Sequence, residues 1–130
     1  RYINEMGAKY EIRDLAVDRW NATQIATQLQ GDGFDTFAFG QGFASMSGPS
    51  KELEKLLLGR EICHGDNPVL RWMASNVAIE MDAAGNIKPS KKKSTERIDG
   101  IVALIMAIGR LISDDDEAGR MRGSGEILFI

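Results

Sequence analysis

The sequence predicts an α/β domain, and three observations carry that prediction. Short strand-like runs, Leu15-Ala16-Val17 and Thr36-Phe37-Ala38-Phe39, alternate with stretches of helical periodicity. A period-two segment from Val77 to Asp82 meets turn chemistry at Asp82-Ala83-Ala84-Gly85-Asn86 and a short return at Ile87-Lys88. A long apolar helix then opens at Ile98-Asp99-Gly100, with Asp99 as the one charged residue between Ile98 and Ile108.

Taken in order, Arg1 to Gly7 has the look of a helix end stopped by Gly7, not of an initiator sequence, so the chain is expected to be cut from something longer. Tyr10 to Val17 ends as a strand, with Asp18 directly after it. Asn21 is the expected N-cap of the next helix, with Gln24 in a capping-box relation and the Gly31–Gly33 stretch as the stop. Gly40-Gln41-Gly42-Phe43-Ala44-Ser45 is expected to be a loop before a helix opened by Pro49, in which Leu53, Leu56 and Leu57 form one stripe. Arg60 to Cys63 is a short strand candidate, and Asn67-Pro68 starts a helix with Leu70, Met73 and Ala74 on one side. In the following strand Val77, Ile79 and Met81 are expected on the buried face. Pro89 ends the return strand, and the apolar helix is expected to reach about Ile112. Trp20 and Trp72 are expected in the core. Residues 1–112 thus form the domain, and 113–130 an acidic, glycine-containing tail expected to be mobile until about Ile127 to Ile130.

Composition excludes several function classes. With 130 residues the chain makes one domain, and its 16 basic against 19 acidic residues give a net charge of −3. Any contact with nucleic acid must therefore use a local patch. One cysteine and one histidine exclude an internal disulfide and a Cys/His zinc site. No phosphate loop of the Gly-x4-Gly-Lys-Ser/Thr type is present, so the chain is not an ATPase by itself. The run from Ile101 to Ile108 is too short for a membrane span.

The residues that carry chemistry are few. Asp18 at a strand end and Asp99 at a helix start fall where α/β proteins bind ligands, and two carboxylates there suit Mg²⁺ or Mn²⁺. The plainer reading makes both ordinary loop or cap residues, with Asp99 solvated at its helix terminus. Gly40-Gln41-Gly42 imitates a dinucleotide fingerprint, but Ser45 stands at the third glycine position. Imidazoles titrate near neutrality, so His64 after Cys63 is a candidate general base; alternatively it braces a turn. Lys88, Lys91, Lys92, Lys93 and Arg97 form the one basic cluster, either a solvated loop or a hold on a DNA backbone.

Several of these segments together are similar to the large terminase subunit of tailed phages. They are Asp18-Arg19-Trp20-Asn21-Ala22, Gly40-Gln41-Gly42-Phe43, Ser50-Lys51-Glu52-Leu53-Glu54, His64-Gly65-Asp66-Asn67-Pro68-Val69-Leu70-Arg71-Trp72 and Ile98-Asp99-Gly100-Ile101-Val102-Ala103-Leu104. The resemblance runs from about Tyr10 to Ile112. It implies a ribonuclease H-like mixed sheet flanked by helices, in the nuclease that cuts concatemeric double-stranded DNA during packaging. Two Mg²⁺ or Mn²⁺ ions are implied, with Asp18 and Asp99 as metal-binding catalytic carboxylates, His64 and Asn67 supporting the site, and the basic cluster on DNA. An ATPase domain in the same full-length chain, a small terminase subunit, a portal and the cytoplasm of the bacterial host are implied as partners and setting, with no membrane.

The family's first acidic residue has no match here, so the opening strands and that ligand are expected to lie upstream. A nuclease domain lacking them would be inactive or impaired, and its bared sheet would favour self-association. Two other readings share the same residues: a resolvase-like nuclease of the same fold, and a DNA-docking or assembly module without catalysis.

Overall fold

A computed structural model describes residues 1–20 and 22–119. The chain divides into two compact units, Arg1–Gln41 and Gly42–Ile130.

The first unit is a helix followed by a strand–helix–strand crossover. Helix α1 (Tyr2–Lys9) passes straight through Gly7, contrary to the expected stop there. Gly7 is needed for closeness instead: a Cβ at this position would lie 2.7 Å from the Phe34 ring. Strand β1 (Leu15–Asp18), helix α2 (Thr23–Gly31) and strand β2 (Thr36–Phe39) follow. The two strands are parallel, with Leu15 opposite Thr36 and Asp18 opposite Phe39. Parallel neighbours require such a crossover, and the helix supplies it. Asn21 lies outside the described residues; the cap position of α2 is Ala22, whose side chain makes no capping bond.

In the second unit, helix α3 (Phe43–Gly59) starts well before the expected proline start. Gly42 is its cap position, so Pro49 sits inside the helix and is buried. The Gly40–Ser45 stretch is therefore not a loop throughout, since Phe43, Ala44 and Ser45 form the first helical turn. No strand forms at Arg60–Cys63, because Arg60 takes a left-handed conformation (φ 57°) that closes α3. Helix α4 (Pro68–Asn76) begins where expected, with the Asn67 side-chain oxygen accepting from the Val69 and Leu70 N–H groups. Such a cap is worth about 1 kcal/mol.

Strands β3 (Ile79–Met81) and β4 (Ile87–Pro89) pair as the expected antiparallel hairpin. Asp82 builds its turn by accepting from the Ala84 and Asn86 backbone and from the Asn86 amide. The facing of β3 is the reverse of the prediction: Ile79 and Met81 are exposed, and Glu80 is half-buried opposite Lys88. Alternation fixes which residues share a face, not which face is covered.

Helix α5 (Asp99–Gly119) runs beyond the expected end near Ile112. Its face bearing Ile101, Val102, Ile105, Met106 and Ile108 is buried, and with Met46 and Leu53 of α3 it makes the core. Ala103 and Ala107 are exposed, so the helix is covered on one broad face and open on the other. Ile98, which is 1% exposed, pins the helix start; its carbonyl accepts from Ile101 and Val102. Burying such a side chain stabilises by roughly 1.5–3 kcal/mol, which places Asp99 firmly in the first turn. The tryptophans are not core residues: Trp20 is 80% exposed and Trp72 46% exposed. Trp20 stands in the turn after β1, while α4 turns Leu70 and Met73 inward and leaves Trp72 on its outer side. The expected mobile tail lies partly in α5 and otherwise outside the described residues.

Candidate active site

Asp18 closes β1, at the C-terminal end of the parallel pair. Both carboxylate oxygens are engaged. The Trp20 backbone N–H donates to Oδ1 at 3.1 Å, and the Gln41 side-chain amide donates to Oδ2 at 3.1 Å. Gln41 is the neighbour of Asp18 that sequence reasoning missed. The signal was available in principle: parallel register sets the ends of β1 and β2 side by side, so residues just after Phe39 fall beside Asp18.

Asp99 stands in the first turn of α5 with its side chain 53% exposed. The Lys91 ammonium donates to its Oδ1 at 2.6 Å and is itself 57% exposed. The hydrogen bond and charge of Lys91 hold the Asp99 carboxyl below the usual carboxylate range, and Arg97 adds a smaller pull in the same direction. Exposed pairs of this kind are worth about 0–1 kcal/mol, so the interaction sets orientation more than stability. Because Asp99 meets solvent, the cost of burying an unpaired carboxylate does not arise.

Its surroundings are well anchored. Ser90 N–H donates to the Ala78 carbonyl, Ser94 Oγ accepts from Ala78 N–H and donates to the Ser90 carbonyl, and Thr95 N–H donates to the Asn76 carbonyl. These bonds tie the loop carrying the lysines to the hairpin and to the end of α4. Lys91, Ser94, Thr95, Glu96, Arg97, Ile98 and Asp99 border a shallow cleft of about 300 Å³.

The basic cluster divides. Lys88 lies with its ammonium 4.8 Å from the centre of the Phe43 ring, and Lys91 is engaged by Asp99. Lys92, Lys93 and Arg97 are exposed and make no ion pair among the described residues. His64 and Asn67 border a second hollow of about 400 Å³, with Ile62, Leu70, Met73 and Leu104 as its apolar walls. Asn67 is committed to capping α4, while His64 Nδ1 is buried without a partner among the described residues. The side chain of His64 thus does not brace its turn through Nδ1.

Hard carboxylate oxygens are the right donors for Mg²⁺ or Mn²⁺. Their number falls short here: among the described residues no three His, Cys, Asp or Glu side chains gather as a metal-binding group. Asp18 belongs to the first unit and Asp99 to the second. The described residues do not assemble a metal centre by themselves.

The family model for the endonuclease domain of the terminase large subunit matches residues 2–115. The chain belongs to that family. It is 37% identical over 119 residues to the terminase large subunit of Enterobacteria phage HK97, covering 90% of this chain and 24% of that protein. Protein YmfN of Escherichia coli K12 is 32% identical over 82% of this chain, and the terminase large subunit of Lactococcus phage SK1 is 31% identical over 83%. This terminase nuclease chain also superimposes on the crystal structure of the HK97 large terminase with a TM-score of 0.77 and 38% identity, over 84% of this chain and 23% of that one. It thus spans about a quarter of the length of the HK97 relative, and the expected fold class, ribonuclease H-like α/β, stands. Its described strands form two separate two-stranded sheets, one parallel and one antiparallel. No described helix of this terminase domain is long and apolar enough to cross a membrane.

Proposed function

We propose that the chain works within a terminase large subunit as part of the endonuclease that cuts concatemeric double-stranded DNA, hydrolysing phosphodiesters with two Mg²⁺ or Mn²⁺ ions. Asp18 and Asp99 are its catalytic carboxylates and metal ligands. The observation that carries this reading is the family match over residues 2–115, which includes both aspartates. Supporting it, Asp18 ends a parallel strand, the end at which α/β sheets bind ligands, and Asp99 is open to solvent at a helix start. Ions bound there would activate water and stabilise the attacking and leaving oxygens.

The chain's own residues have simpler tasks. Gln41 and the Trp20 N–H orient the Asp18 carboxylate, and Lys92, Lys93 and Arg97 are available to DNA phosphates. Asn67 fixes the start of α4 and His64 the wall beside it. The ATPase domain of the same full-length chain, the small terminase subunit and the portal are the proposed partners, in the cytoplasm of the bacterial host.

Plasmid nicking in Mn²⁺ by a terminase large subunit carrying this chain tests the reading. Nicking should vanish with a chelator and in both Asp18→Asn and Asp99→Asn, while circular dichroism stays unchanged. Cutting that persists in either variant removes that aspartate from the site. Lys92, Lys93 and Arg97, which make no ion pair among the described residues, also favour a docking role without catalysis. DNA binding that weakens steeply with salt, with no metal effect and no nicking, would establish that reading instead.

A further inference from the structure

The turn after β1 carries two side chains that the packing of the first unit does not use. Trp20 is 80% exposed, although burying an aromatic side chain takes roughly 150–250 Å² out of water. Arg19 beside it is exposed and makes no ion pair among the described residues. The backbone under both is pinned. Arg19 N–H donates to the Phe39 carbonyl at 3.2 Å, and Trp20 N–H donates to Asp18 Oδ1 at 3.1 Å. Ala22, two residues further on, is buried, so the chain sends the methyl inward and leaves the indole outside. A large ring on a pinned backbone loses little freedom on binding, since only its two side-chain torsions remain to be ordered.

We propose that Arg19 and Trp20 form a nucleotide-binding pair beside Asp18, the indole stacked on a base that has left the duplex and the guanidinium on a neighbouring backbone phosphate. This rests on the reading of the chain as part of a DNA endonuclease made above. Inside a duplex each base face is covered by the next base, so an indole finds a free face only on an unstacked nucleotide. An aromatic ring with a cation near it is the combination that binders of single-stranded nucleic acid use. The ring takes bases of any sequence, and the cation holds the backbone. The ligand is therefore DNA with an opened or frayed stretch, held without sequence preference. Neither side chain takes part in bond cleavage. Their task is to hold a strand beside the C-terminal ends of β1 and β2.

Fluorescence anisotropy with a labelled duplex, and with the same duplex opened by a central bubble of thymines, tests the pair. The protein is the terminase large subunit carrying this chain, kept in a chelator so that no metal contributes. The parent should bind the bubble more tightly than the duplex. Trp20→Ala should weaken bubble binding about five- to hundredfold, the loss of one base–aromatic stack, and duplex binding less than about twofold. Trp20→Phe keeps a ring and should recover most of that loss. Arg19→Gln should weaken binding to both probes and lower the salt slope by about 0.7–0.9, the share of one phosphate. A parent without preference for the bubble, or a Trp20→Ala that loses equally on both probes or on neither, overturns the proposal. So does a lower Tm in Trp20→Ala with DNA binding unchanged, which would make the indole a packing residue against another part of the terminase. An unchanged slope in Arg19→Gln removes the cation and overturns the pairing. All these results leave Asp18 to be judged by nicking in Asp18→Asn. A parent that binds neither probe removes the DNA reading itself, and the pair with it.

Discussion

Substituting Gly100 by alanine puts the joint between α4 and α5 to the test. Gly100 is the second residue of α5, and its N–H points at the Met73 sulfur at 3.1 Å. A Cβ there would lie 2.8 Å from that sulfur and 3.4 Å from Leu70 Cδ1. Two effects oppose each other. Alanine gains up to about 1 kcal/mol of helix propensity in an interior, and less in a first turn. Overpacking costs roughly 1–3 kcal/mol, and a methionine side chain yields at the low end of that range. The weak N–H···S hydrogen bond is broken as well. Net destabilisation should be about 0.5–1.5 kcal/mol, seen as a fall in Tm of about 2–6 °C for a domain of this size. Met73→Ala should relieve the clash, so a double-mutant cycle read by urea denaturation should give a coupling of about 1 kcal/mol. A higher Tm in Gly100→Ala, or strict additivity in the cycle, would refute the reasoning.

Removing the cap of α4 with Asn67→Ala should cost about 1 kcal/mol, measured as a lower urea midpoint at constant slope. Asp82→Ala should speed amide exchange at Ala84 and Asn86, whose N–H groups the carboxylate now holds. The Asn86 bonds hold the Asp82 carboxyl below its usual range. Its stabilising contribution is therefore present above the unfolded-state pKa of about 4 and is lost as pH falls through the lower folded-state value, so hairpin protection should survive mild acid. Replacing Lys92, Lys93 and Arg97 together by glutamine should flatten the dependence of DNA affinity on log salt, measured by fluorescence anisotropy. The slope should fall by up to about 0.9 for each phosphate that is no longer neutralised. An unchanged slope would remove these residues from the DNA surface.

Local chemistry was legible where it acts alone. The cap at Asn67, the Asp82–Asn86 turn, the glycine stop of α2 and the placement of Asp99 in a first turn follow from side chains acting on their own backbone. Errors arose where tertiary packing decides. Gly7 looks like a helix stop in sequence, but α1 runs through it and the Phe34 ring leaves no room for a Cβ there. The alternation in β3 was visible, whereas its direction depends on what covers each face. Trp20 is apolar enough for a core yet stands in a turn. For the site, the family-bearing segments named Asp18 and Asp99, but Gln41 and the specific engagement of Lys91 emerge only from strand register and loop path.

Pro49 has a mechanical consequence. Lacking an N–H, it leaves the Ser45 carbonyl without its usual helical donor, so the ladder of α3 misses one rung between its first two turns and the rest. The segment before that gap is fastened elsewhere: Ser47 Oγ accepts from the Ile87 N–H of the hairpin, and Lys88 rests on Phe43. The first turns of α3 are thus tied to the hairpin by contacts that do not depend on the missing rung. The missing rung therefore falls in a helix that both β4 and α5 hold, with Met46 before the gap and Leu53 after it buried in the core.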